Sequence, residues 1–182
     1  DNAVSVIDLK TRKTLEVLNA ALYPDAPNGS TTNSLALSPD ERTLYIANAD
    51  NNCLAVFDVS EPKQSRSTGF IPTGWYPTCV RVLGKRIFVA NGKGFSSFPN
   101  PNGPNPIGRK NKVVYQKGNE EDQYIGGLMK GTMSIIAAPK PAQLEEYTRQ
   151  VYRNAPYTKE REKLAEGEAG NPIPQRVGAP SP

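Results

Sequence analysis

The chain has 182 residues, a net charge of +4, 15 Gly, 17 Pro and 37% apolar residues. That suits one ordinary domain, or a small domain with a tail, rich in turns but neither collagen-like nor mostly disordered. It contains no histidine, which excludes Ser-His-Asp and Cys-His nucleophile pairs and the HExxH zinc site.

Taken in order, the first segment is Ala3-Val4-Ser5-Val6-Ile7-Asp8. It reads as a strand and not as a signal peptide. A Pro/Gly/Asn/Thr-rich stretch makes Tyr23–Asn33 a loop, and strands are expected over Ser34–Ser38, Thr43–Asn48, Cys53–Asp58 and Ser67–Pro72. Ser38-Pro39-Asp40-Glu41 supplies the hairpin turn between the first two, with Pro at its second position. Thr73-Gly74-Trp75-Tyr76-Pro77 is the next loop, and Leu83-Gly84-Lys85-Arg86 a shorter hairpin turn. The segment from Gly92 to Gly131 is a long Gly/Pro/Asn-rich insertion of the kind that is usually functional or disordered. Thr132–Ala137 is a further strand. Residues 141–154 form an amphipathic helix, with Pro141 in its first turn and Leu144, Tyr147, Val151 and Tyr152 on one stripe. Thr158 starts a second, charged helix to Glu166, and residues 167–182 read as linker. No apolar run approaches the roughly 18 residues of a membrane span.

These strands repeat. Ala3–Asp8 recurs as Cys53-Leu54-Ala55-Val56-Phe57-Asp58, and more loosely as Thr132-Met133-Ser134-Ile135-Ile136-Ala137. Leu44-Tyr45-Ile46-Ala47-Asn48 recurs 43 positions later as Ile87-Phe88-Val89-Ala90-Asn91. One period of that length accounts for every interval once insertions are allowed at 24–33 and 92–131. Short strands at this spacing, four to a unit, are the signature of β-propeller blades. The expected fold is therefore all-β: incomplete propeller blades, about two, of four antiparallel strands, followed by a helix. The chain supplies the outer two strands of one blade, all four of a second and three of a third. Residues 1–139 make this partial propeller, 140–166 a helical segment and 167–182 the linker. Val4, Val6, Ile46, Leu54, Val56, Val89 and Ile135 are expected to be buried between sheets.

The segments Val4–Asp8, Leu37-Ser38-Pro39-Asp40 and Leu44–Asn48 resemble the YVTN-type bacterial β-propeller repeat. Glu41 departs from it, standing where that family usually has Gly. The long insertion and charged C-terminal segment resemble a subset of the family in which the propeller precedes an alkaline-phosphatase-like, metal-dependent phosphoesterase domain. Met133–Arg149 and Gly170–Pro182 look like the junction before that domain, whose own motif is absent from the chain. The resemblance implies an exported, periplasmic or secreted protein. It also implies two kinds of partner, the remaining propeller blades and a C-terminal phosphoesterase-like domain.

Chain direction alternates within a blade, so the loops at 23–33, 73–77 and 92–131 should share one end. Tyr23, Trp75, Tyr76, Phe95, Phe98 and Tyr115 then form an aromatic ligand or domain interface, or else pack over the blade rim. Glu120-Glu121-Asp122 lacks calcium-loop spacing and reads as a solvated acidic turn. Gly92-Lys93-Gly94 lacks the setting of a phosphate loop. Asp8 and Asp58 should cap turns. Cys53 and Cys79 lack zinc spacing and read as small hydrophobes, each beginning a strand, with a disulfide between them left open. No catalytic or metal-ligating residue and no cofactor is assigned to this chain, and basic side chains are not gathered on one helix as nucleic-acid binding asks. The expected function is a non-catalytic binding and positioning module of a larger exported bacterial protein. The alternatives are the propeller part of a hydrolase whose active site lies in a following phosphoesterase domain, or part of a lactonase-like propeller.

Overall fold

A computed structural model describes residues 2–26, 28–94, 127 and 129–155. Nine strands and one helix follow in chain order: β1 Ala3–Ile7, β2 Thr14–Asn19, β3 Thr32–Leu37, β4 Thr43–Asn48 and β5 Cys53–Asp58. Then come β6 Arg66–Pro72, β7 Trp75–Leu83, β8 Arg86–Gly94, β9 Thr132–Ala137 and α1 Pro141–Asn154. They form three antiparallel sheets in which every strand pairs with its sequence neighbour: β1-β2, β3-β4-β5-β6 and β7-β8-β9. The described strands group two, four and three to a sheet, as the repeat demands.

Each element follows from its residues. The β-branched and aromatic runs of β4 and β5 fill both faces of the middle sheet, so both strands are buried almost end to end. Ile46, Ala55 and Phe70 face the first sheet, where they pack with Leu18, Ala20 and Leu22. Tyr45, Leu54, Val56 and Ile71 face the third sheet and meet Val80, Ile87 and Val89. Ile46, Leu54, Val56 and Val89 are buried as the repeat implies, whereas Val4 and Val6 are half-buried against the first core.

Ile135 departs from expectation at 61% exposed. In β9 every second residue turns outward, and Ile135, aligned with Phe88, belongs to the face turned away from the middle sheet. Two strand starts also move. β3 begins at Thr32, and β7 begins at Trp75, which leaves Thr73-Gly74 as the connection and puts Cys79 in mid-strand. Cys53 and Cys79 are both free.

The first sheet is two strands wide and sits toward the β6 side, where the Glu16 carboxylate accepts from the Ser65 backbone N–H at 3.1 Å and hydroxyl at 2.7 Å. It leaves the β3 end of the same face open. Leu35 and Leu37 there are 46% and 47% exposed.

Helix α1 closes the opposite edge. Its stripe bridges both cores, with Val151 in the first and Leu144 and Tyr147 against the second. The Thr148 hydroxyl accepts from the Phe70 N–H at 2.9 Å and donates to the Leu144 carbonyl at 2.7 Å. An edge strand is thereby covered. Gly69 lets the helix come this close: its φ is +146°, and a Cβ there would strike the Thr148 hydroxyl and lie 3.2 Å from Leu144 Cγ. Among the described residues no helix is long and apolar enough to cross a membrane.

Candidate functional site

The connections β2–β3, β4–β5 and β6–β7 gather at one end of the sheets, with the roots of the 92–131 segment. Trp75 pairs with Gly94 across β7 and β8, so the sole tryptophan stands beside that segment, on the side that strand alternation assigns it. Backbone geometry at this end is built twice. Asn2 Oδ1, just before β1, accepts from the N–H groups of Gly29 and Ser30 at 3.0 and 2.7 Å. Asn52 Oδ1, just before β5, accepts from the Tyr76 N–H at 2.8 Å. Each asparagine thus pins the chain that leads into the next sheet.

The two leading segments also match at one backbone position. Thr31 and Tyr76 hold left-handed φ values of 50° and 64°, two residues after Gly29 and Gly74 respectively. A bulge follows in each strand, between Thr32 and Ser34 and between Pro77 and Cys79. Thr32 pairs with Asn48, and Pro77 with Asn91. In this register Ser30 corresponds to Trp75, Thr31 to Tyr76 and Asp50 to Lys93.

The chemistry at those matched positions differs. In the middle sheet the Thr31 hydroxyl donates to the Asp50 carboxylate, and Asn51 Nδ2 donates to the Ser30 hydroxyl at 2.9 Å. In the third sheet Lys93 Nζ lies over the Tyr76 ring, 4.2 Å from its centroid, and 5.5 Å from the Trp75 centroid. Both distances fall within the range of cation–π attraction. Among the described residues no carboxylate pairs with Lys93. Sequence reasoning picked out Trp75 and Tyr76 but dismissed Lys93. The signal that finds it is the alignment of Asp50 with Lys93 through Ala47-Asn48 of β4 and Ala90-Asn91 of β8.

Tyr23 is placed elsewhere. Its ring meets that of Tyr152 at 5.4 Å, next to the Tyr152 hydroxyl that donates to the Leu22 carbonyl at 2.9 Å. It belongs to the helix-docking cluster. Phe95, Phe98, Tyr115 and the Glu120–Asp122 run lie outside the described residues, as do the proposed second helix and linker.

Below these residues lie two matched buried asparagines. Asn48 Nδ2 donates to the Ala20 carbonyl at 2.6 Å, joining the first two sheets. Asn91 Nδ2 donates to the Ser134 hydroxyl at 3.0 Å, and a Cβ on Gly74 would come within 2.8 Å of its Cγ. Burial pushes the Cys53 thiol up to about 12, against a smaller opposing hydrogen bond from Asn48, so it is no nucleophile at neutral pH.

At the other end, carboxylates fasten turns. Asp8 accepts from the Lys10 and Thr11 N–H groups, which lower its pKa. Asp58 accepts from Ser60 and pairs with Arg66 at 2.9 Å, which brings it down to about 2. Among the described residues no three His, Cys, Asp or Glu side chains are grouped to hold a metal ion. At the Trp75 end the described side chains present two π faces, the Lys93 ammonium and hydroxyl groups.

No family model and no curated protein matches the chain. Among solved structures it is similar to hydrazine synthase of Kuenenia stuttgartiensis, at 25% identity with a TM-score of 0.40. That match covers 50% of this chain and 23% of the other.

Proposed function

We propose that the chain is a non-catalytic β-propeller segment, a binding and positioning module of a larger protein, whose third sheet receives a further blade. One observation carries this reading. Tyr45, Ala47, Leu54 and Val56 make the face by which the middle sheet buries against the third. Their repeat equivalents Phe88, Ala90, Met133 and Ile135 make the outer face of the third sheet, where Met133 and Ile135 are 64% and 61% exposed. On β8 and β9 the third sheet thus presents the equivalents of residues that the middle sheet uses to hold its neighbour, although Arg81 stands beside Phe88 where the middle sheet has Ala36 beside Tyr45. An apolar surface of that kind is ordinarily covered. The resemblance to YVTN-type propellers points the same way, toward an exported protein with its chemistry in another domain.

The test uses the open face itself. The chain should self-associate as its concentration rises and bind a hydrophobic dye. The double substitution Met133→Asp with Ile135→Asp should abolish the association and reduce the dye binding, at a cost in stability of only about 1 kcal/mol per residue. Association that persists in the double variant would overturn the reading.

A further inference from the structure

We propose that Trp75 and Tyr76 form a binding site for a small organic ammonium of the quaternary kind, and that Lys93 is its built-in competitor. The inference goes beyond the binding-module reading and does not rest on it, since it concerns the end of the sheets and not the outer face of β8 and β9. The fold does not require aromatic residues here. At the matched place in the middle sheet Thr31 holds the same left-handed φ as Tyr76, and the hydroxyl groups of Ser30 and Thr31 latch to Asn51 and Asp50 respectively. The scaffold therefore closes with small polar side chains. In the third sheet it carries two π faces that converge on a single cation.

The backbone that carries both rings is fixed in advance. Tyr76 is pinned through its N–H to Asn52, and Trp75 is paired in the strand ladder with Gly94. Among the described residues it is the Lys93 side chain, half-buried on a flexible stem, that must move for another cation to enter. Sites organised in advance lose little on binding. The rings offer charge attraction and dispersion, and among the described residues no carboxylate pairs with the cation they hold. That combination favours a methylated, weakly hydrated cation over a metal ion or a primary ammonium.

The chain's only tryptophan makes its fluorescence a direct reporter. Titration with choline should give a weak, saturable change, and the uncharged carbon isostere of choline should give none. Lys93→Gln removes the competitor and should tighten choline binding by about fivefold. Tyr76→Thr, which copies the residue of the middle sheet, should remove saturable binding while the circular dichroism and unfolding midpoint hold. An equal response to the uncharged isostere, or an unchanged midpoint of titration in Lys93→Gln, would overturn the proposal. The propeller reading is untouched by either result, because its own test lies on the outer face of β8 and β9.

Discussion

The middle and third sheets are written in nearly the same residues and end in opposite surroundings. Tyr45, Leu54 and Val56 are 5%, 0% and 3% exposed, whereas Met133 and Ile135, two repeats of the same pattern, stand largely in solvent. Strand alternation decides which residues share a face, and a neighbouring sheet decides whether that face is buried. Hydrophobicity in a repeat array is thus a statement about neighbours. Leu35 and Leu37 make the same point on the other side, since the two-stranded first sheet does not reach them.

The largest effect comes from placing the same charge on each sheet. Val56→Asp buries a carboxylate with no partner and should cost roughly 3–5 kcal/mol. Ile135→Asp, its repeat equivalent, should cost about 1 kcal/mol or less, the scale of strand propensity. Chemical denaturation of the two variants measures both, and similar losses would break the contrast.

Edges provide the second contrast. The β6 edge is covered by α1, and Gly69 is the point of closest approach. Gly69→Ala forces a left-handed residue against Thr148 and Leu144 and should cost about 2–4 kcal/mol. Proteolysis should then cut first within 141–154, because the helix must lift before the methyl group fits. A stable, protease-resistant variant would mean that the helix is not seated on that glycine.

A smaller difference separates the two hairpin turns. Glu41 and Gly84 both hold left-handed φ values, 58° and 57°. Only the first carries a side chain that makes this conformation costly. Glu41→Gly should therefore stabilise the chain by about 0.5–1 kcal/mol, while Gly84→Ala should cost about 1 kcal/mol through the backbone alone, since a Cβ there meets nothing within 4 Å. Thermal midpoints that move in the same direction for both variants would contradict this account.

Much of this architecture was legible. The 43-residue offset between Leu44 and Ile87 located the sheets, and Pro141 with the stripe from Leu144 to Tyr152 located the helix. Period and punctuation are local signals, and these residues carry them openly. Ile135 was misjudged because a strand's periodicity names two faces without saying which one has a neighbour. Trp75 was placed at the right end, yet within a loop, because Pro77 reads as a strand breaker while the bulge that tolerates it leaves no mark in sequence. Lys93 was missed because a ring and an ammonium 17 positions away have no local pattern to join them. Tyr23 was set with the loop aromatics because nothing in its surroundings foretells Tyr152, which the fold brings to it from the far end of the described chain.

The smallest effect concerns the turns at the opposite end, where the first two sheets again differ from the third. Asp8 and Asp58 close equivalent strands and hold their turns as carboxylates, while Ala137 occupies that place in the third sheet. The folded chain holds Asp58 at about 2, through Ser60 first and Arg66 after it, whereas an unfolded aspartate titrates near ~4. A depressed folded value contributes stability that is complete above the unfolded pKa and disappears as pH falls through the folded one. Asp58→Asn should therefore lower the thermal midpoint slightly at pH 7, and the gap to the unsubstituted chain should close between about pH 4 and pH 2. The carboxylate is half-buried but its partner Arg66 is exposed, so salt should narrow the same gap at neutral pH. A difference that stays constant down to pH 2 would mean that the turn is held by the shape of the side chain and not by its charge.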